Sequence, residues 1–372
     1  MTGHSVLAPS SSARRIQCPA STLLEPAHAL PDVDDSEARN GTAAHWGASE
    51  QLAGRLIDVG QIAPNGVYLT DEMVQGADLY CDDVTKALGP LGFKPSDGKI
   101  EEPVAIPRVH PQSWGTPDYS IWAPAVKTLL VWDYKFGHRV VDPFENRQMV
   151  EYVAGLLPTD LDDRHVRVVV SIVQPRSFHP EGPVRRWTFW ASEIRGHINQ
   201  ANGAAHEALG ANPRARVGPE CRDCKARHVC TTLQRDGYRT VDEAERPQPF
   251  EMPPGALGLE LTTLNAAALR LAARISGLEE QARAAIRRGV SVPGWAVQHG
   301  EGREAWTVPA GQVLAVAGAL GLNIAKPVEV ITPRQAREAG LDPALVAAMS
   351  ARPSGAAALV PADTSAARKV FG

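Results

Sequence analysis

Residues 127–134 read Lys-Thr-Leu-Leu-Val-Trp-Asp-Tyr, and Lys135 follows. Leu129, Leu130, Val131 and Trp132 form a continuous apolar run. That pattern suits a central strand buried on both faces better than an edge strand, which would alternate. A second such run, His165–Val173, lies downstream, and Pro183–Trp190 is spaced to pair with it. Between the first two runs, Pro143–Leu157 has helical periodicity. Strands flanked by helices early in the chain, then a mostly helical tail, suggest an α/β domain of about 235 residues plus an appendage.

Working outward, Tyr119–Ala123 and Pro103–Val109 read as shorter β-prone runs. Upstream of them, Gly41–Leu56 and Asp71–Leu88 read as helices, the second with Thr70 as its cap. Ala191–Leu209 reads as a helix after the last strand. Residues 1–17 read as a flexible leader, 18–235 as the principal domain, and 236–256 as a proline-rich linker. Residues 257–372 read as a mainly helical accessory domain, opening with a long helix over 259–288 and a hairpin over 292–308. Nothing at the N-terminus has the apolar stretch of a signal peptide, and no run approaches the ~20 apolar residues of a membrane helix. A cytoplasmic location with no membrane partner is expected. With 38 Lys+Arg against 42 Asp+Glu, the net charge is −4. Any contact with nucleic acid must therefore come from a local basic patch.

The chemistry begins where the strongest strand ends. Asp133 and Lys135, two apart, share one face of the strand, and Tyr134 takes the other. A carboxylate there suits a hard divalent cation, and an ammonium beside it can orient water or offset phosphate charge. A surface ion pair would be spelled the same way, so neighbours decide. Asp118, in Gly115-Thr116-Pro117-Asp118, precedes a strand that could hairpin into the first and bring two carboxylates to one ion. His45 supplies a plausible third ligand from the first helix. Gln148 and Tyr152 lie one turn apart on the helix after the strand.

The ordered set His45, Asp118, Asp133-x-Lys135 and Gln148-x-x-x-Tyr152 resembles the RecB-like branch of the PD-(D/E)XK nuclease superfamily across roughly residues 15–235. Cys18-Pro19-Ala20-Ser21 and Gly41-Thr42-Ala43-Ala44-His45 look closest to an uncharacterised phage and prophage family of that branch. Gly302-Arg303-Glu304-Ala305-Trp306 in the tail is similar to the same family. The resemblance implies a restriction-endonuclease-like core, a mixed central sheet flanked by helices, and a metal-dependent DNA exonuclease using Mg²⁺ or Mn²⁺. It implies that His45, Asp118, Asp133 and the backbone carbonyl of Tyr134 hold the metal, that Lys135 positions the attacking water, and that Gln148 and Tyr152 contact DNA. It further implies a setting in phage recombination or replication inside a bacterial host, with a single-strand annealing protein as partner. Two rival readings are a CRISPR-associated spacer-processing nuclease and a catalytically silent DNA-binding or scaffolding subunit. Pro117, which stiffens the turn carrying Asp118, departs from the family pattern.

Cys221-x-x-Cys224-x5-Cys230 is a compact set of thiols that needs a fourth ligand for either zinc or an iron–sulfur cubane. His228 is the local candidate, and Cys18 and Cys81 are the remote ones. The resemblance favours a [4Fe–4S] clasp of Cys18, Cys221, Cys224 and Cys230, with zinc as the alternative. Cys81 fits a helix as a buried or free thiol. Arg214, Arg216, Arg222, Lys225 and Arg227 gather positive charge around these cysteines and are candidate DNA contacts. Arg185 and Arg186, near Trp187 and Trp190, form a second candidate patch.

Overall fold

The computed structural model describes residues 5–31, 36–158, 162–244 and 251–297, with residues 319, 342 and 344 as isolated positions beyond. The chain divides into two compact units, Met1–Val297 and Gln298–Gly372. The helices and strands of the first are α1 (Ser12–Gln17), α2 (Ser21–His28), α3 (Ser36–Leu52), α4 (Asp71–Leu88), β1 (Lys99–Ile100), β2 (Val104–Ala105), β3 (Trp114–Gly115), β4 (Tyr119–Ala123), β5 (Thr128–Tyr134), α5 (Arg147–Leu156), β6 (Arg167–Val173), β7 (Val184–Trp190), α6 (Arg195–Ala208), α7 (Thr231–Ala244) and α8 (Pro254–Arg287).

Five strands form one mixed sheet in the order β1-β4-β5-β6-β7. Every residue of β5 is buried, as its unbroken apolar run predicts. It pairs antiparallel with β4 and parallel with β6, and α5 makes the crossover between the two parallel strands. Alternate side chains of β5 serve opposite cores. Leu129 and Val131 join α5 and α6 on one face, whereas Leu130, Trp132 and Tyr134 join α3 and α4 on the other. Burying each such large side chain contributes about 1.5–3 kcal/mol, which fixes the register of β5 and hence the side from which each residue at its end projects. The Thr70 cap of α4 is as expected, its hydroxyl accepting from the Met73 N–H at 3.3 Å. Asn146 caps α5 in the same way at 3.2 Å.

Four expectations need correction. The leader is packed from Leu7 onward: Leu7 and Ser12 are fully buried, and the Arg15 guanidinium is buried against Glu151 of α5. A buried arginine with a distant carboxylate leaves no trace in local hydropathy. The described ends of the proline-rich linker are mostly helix: α7 runs through Ala244, and α8 starts at Pro254, which has no N–H to lose in the first turn. Residues 245–250 lie outside the described residues. Third, α8 belongs to the first unit and not to an accessory domain. Gly277 lets it approach so closely that a Cβ there would sit 2.8 Å from the His228 nitrogen. Fourth, only Val104–Ala105 of the expected strand at 103–109 is extended, pairing with β3 in a separate two-stranded ribbon. The expected hairpin over 292–308 is described only at its start, as a single bridge between Val292 and Trp295. The remaining expectations for 298–372 lie outside the described residues, apart from single positions.

Candidate metal centre and cysteine clasp

The antiparallel register of β4 and β5 sets Tyr119 against Trp132, so continuing that ladder by one step sets Asp118 opposite Asp133. The Asp118 carboxylate turns across the ladder: Oδ2 accepts from the Tyr134 N–H at 2.6 Å, and Oδ1 lies 3.4 Å from His45 Nδ1. His45 reaches in from α3 with its ring edge-on to Tyr134, centroids 5.3 Å apart. On the α5 side, Lys135 Nζ donates to Asp133 Oδ1 at 3.0 Å and to Gln148 Oε1 at 3.3 Å. Gln148 Nε2 donates to the same Asp133 oxygen at 3.1 Å and to the Tyr152 hydroxyl at 3.3 Å. The sequence-predicted residues His45, Asp118, Asp133, Lys135, Gln148 and Tyr152 thus meet at one end of β5.

Two features at this site escaped sequence reasoning. The first is Glu101, just past the two-residue strand β1. Ligand atoms of His45, Glu101 and Asp118 lie within 4.8 Å of one another, and this trio, rather than one containing Asp133, is the tightest potential metal set among the described residues. Glu101 adopts a left-handed backbone (φ 45°), and its N–H donates to the Asp118 carbonyl at 3.1 Å. A strained non-glycine residue beside such a cluster marks a place where folding alone does not choose the conformation. The second is Asp133 Oδ2, a buried acceptor with no hydrogen-bond partner among the described residues.

The charges here are mutually dependent. Burial alone would raise Asp118, but His45 and Lys135 outweigh it and hold the carboxyl below the ordinary range. For Asp133, burial, reinforced by Asp118, outweighs Lys135 and raises the carboxyl. Burial works against the charged form of His45, yet Asp118 brings its pKa above the usual value. Lys135 is likewise raised, with Asp133 and Asp118 overcoming burial. Three carboxylates against one ammonium and one imidazole leave an oxygen-rich, electron-rich pocket suited to a hard cation. Beside it opens a cleft of about 420 Å³ bordered by Thr42, His45, Trp46 and Glu101. Tyr152 is buried, and its hydroxyl accepts from Gln148 Nε2.

The protein family described as a protein of unknown function, DUF2800, matches residues 4–366. The chain belongs to the DUF2800 family. The match covers both the sheet-end cluster and a second constellation in this DUF2800 chain, the cysteines.

Cys18 caps α1, Cys221 lies in the tight turn Pro219–Asp223, and Cys224 and Cys230 follow it. All four line one small cavity, and none is in a disulfide. His228, the local rival for the fourth position, is not among the residues lining that cavity; its backbone lies against α8. The Cys18 sulfur accepts from the Arg216 N–H at 3.4 Å, and the Cys221 sulfur from the Gly218 N–H at 3.5 Å. Burial raises the Cys221 thiol and pushes Cys224 up to about 12. Cys81 is elsewhere, on α4 against the Ala48 carbonyl, and burial pushes it up to about 12 as well.

The basic residues of this DUF2800 protein are only partly free. Arg214 and Arg216 both hold Glu207, at 2.7 and 3.1 Å, and Arg227 holds Glu280. Arg185 is buried and donates to the Val141 carbonyl and Gln174, fastening the loop after β5. Arg186 pairs with Asp83, and Trp187 is stacked on Phe189. The second patch is therefore largely built into the fold. Among the described residues, no helix is long and apolar enough to cross a membrane.

Proposed function

We propose that this protein is a metal-dependent nuclease that hydrolyses phosphodiester bonds in DNA, with a restriction-endonuclease-like core of the RecB-like type. The observation that carries the reading is the convergence of His45, Glu101, Asp118, Asp133, Lys135 and Gln148 at the end of β5. Mg²⁺ or Mn²⁺ fits the donor set: one imidazole, carboxylate oxygens, and a buried Asp133 oxygen without a partner among the described residues. His45, Asp118 and Asp133 would hold it, with the Tyr134 carbonyl carried over from the resemblance and Glu101 added from the geometry. Bound there, the ion would supply charge stabilisation and a lowered pKa for an attacking water. Lys135, fixed between Asp133 and Gln148, holds an ammonium where phosphate charge would build up. Gln148 keeps that lysine and Asp133 in register, and Tyr152 supports Gln148 from behind. Exonuclease action, a phage recombination setting and a bacterial cytoplasmic location rest on the resemblance alone.

Cys18, Cys221, Cys224 and Cys230 would hold a [4Fe–4S] cluster. Backbone N–H groups aimed at two of the sulfurs suit thiolates, which such clusters require. Tetrahedral zinc on the same thiols is the alternative. Anaerobically purified protein should be brown and contain iron and sulfide; zinc without iron would overturn the cluster.

The nuclease test is digestion of end-labelled linear DNA with Mg²⁺ by the protein and by Lys135→Ala. The expected result is release of label by the first and a loss on the order of 10²–10³-fold in the second. Equal digestion by both would defeat the assignment, and separate 5′ and 3′ labels would give the polarity.

A further inference from the structure

A cleft of about 550 Å³ separates α8 from the cysteine turn. Arg222 and Lys225 border it from the turn, and Arg283 and Arg287 from α8; all four are exposed. The cleft's two carboxylates are already engaged, Asp223 with Arg139 at 2.6 Å and Glu280 with Arg227. Among the described residues, no carboxylate pairs with the other four cations. Arg283 and Arg287 are one turn apart on the same helix face, where like charges repel and cost stability. Such a concentration of unopposed cations in a concave site calls for a polyanion.

We propose that this cleft binds the phosphodiester backbone of a nucleic acid strand, an inference that rests on the nuclease reading. The cleft is tied to the candidate centre through Arg139. That residue is four positions beyond Lys135, a span of at most about 14 Å of chain, and its guanidinium grips Asp223 at the cleft wall. A strand lying over the arginines would thus be held near the end of β5. The contacts are made by flexible cationic side chains to phosphate, so they position the strand without reading its sequence. α8 thereby becomes part of the binding surface, whereas sequence reasoning placed it in a separate domain.

The test is fluorescence anisotropy of a labelled 30-nucleotide single strand, titrated with the full chain in EDTA over a range of KCl concentrations. Arg283→Ala/Arg287→Ala should bind about tenfold more weakly at 0.1 M salt, and its log affinity should fall less steeply with log salt, by about 1.4. Arg164→Ala/Arg195→Ala removes the same charge at a distant ion-paired site and should bind like the parent. Both substituted pairs are exposed, and an unchanged melting temperature would confirm intact folding. An unchanged affinity and slope in the cleft variant, an equal loss in the distant one, or no binding by the parent would each overturn the proposal. Chelation separates the two readings. A chain that binds through these arginines but never cuts in Mg²⁺ keeps the cleft and loses the nuclease; one that cuts and ignores the substitutions loses the cleft alone.

Discussion

The sheet-end centre and the cysteine clasp are built on opposite principles. At the centre, polar groups hold one another directly: Lys135 holds Asp133 and Gln148, Asp118 holds the Tyr134 amide, and His45 lies beside Asp118, with Asp133 Oδ2 the acceptor left without a partner among the described residues. The fully buried strand β5 supplies Asp133 and Tyr134, and α3 and α5 supply His45 and Gln148. At the clasp, the thiols take only weak N–H donors, sit in short irregular turns, and bring together stretches about two hundred positions apart in sequence. On the reading proposed above, the first would be shaped largely by its own polar contacts, whereas the second would be completed by its cluster. Removing a cluster ligand should therefore hurt folding more than removing a metal ligand. In the chain-entropy estimate, a link between residues 18 and 221 is worth about 5 kcal/mol. Cys221→Ala should lose iron and sulfide together and lower the melting temperature sharply. A variant free of iron that melts like the parent would place the clasp's stability in its protein contacts and erase the contrast.

A buried ion pair bridges the two regions. Arg15, on the helix that ends at Cys18, meets Glu151, on the helix that carries Gln148. Both are almost wholly buried, and the Ser12 hydroxyl donates to the same carboxylate oxygen. Glu151→Gln leaves an arginine charge in the core without its counterion, which should cost about 3–5 kcal/mol in urea unfolding. Arg15→Met/Glu151→Leu should recover much of that loss, since it removes both charges. If the double variant is as unstable as the single one, the pair acts through shape instead of charge.

This bridge also shows what sequence alone could not give. The run at 128–134 carried its strand, its burial and the two-residue spacing that puts Asp133 and Lys135 on one side, because periodicity is a local property of the chain. Gln148 and Tyr152 were legible for the same reason, lying one helical turn apart. Arg15 was not, since nothing near it announces a partner 136 positions away. Glu101 was missed because β1 is two residues long, too short for any alternation, so its place beside Asp118 is set by pairing with β4. The reach of α8 onto the cysteine turn was hidden by proline-rich spelling, which reads as a linker although Pro254 simply opens a helix.

Glu101 offers a sharper test of how complete the centre is beforehand. If it belongs to the ligand set, Glu101→Gln should weaken Mn²⁺ binding by about tenfold or more, read by electron paramagnetic resonance of the free ion, with little change in melting temperature. Unchanged Mn²⁺ affinity would leave the carboxylate ligands to Asp118 and Asp133, whose Oδ2 lacks a partner among the described residues, and make Glu101 a neighbour only.

The smallest effect belongs to the rim of the clasp, where Glu207 holds Arg214 and Arg216 on the approach to Cys221. Hydrogen bonding from Arg214, joined by Arg216, depresses the Glu207 carboxyl from 4.5 to about 2. A carboxyl depressed on folding adds stability above its unfolded value and loses it as pH falls through its folded value. Glu207→Gln should therefore melt slightly below the parent near pH 6, and the gap should close between about pH 4.5 and 2. Because the pair is at the surface, added salt should narrow the gap at neutral pH too. A gap that ignores both pH and salt would mean that Glu207 fastens this segment by hydrogen-bond geometry that glutamine cannot copy. The clasp's outer layer would then be as pre-shaped as the centre, and the contrast between the two regions would narrow to the sulfurs themselves.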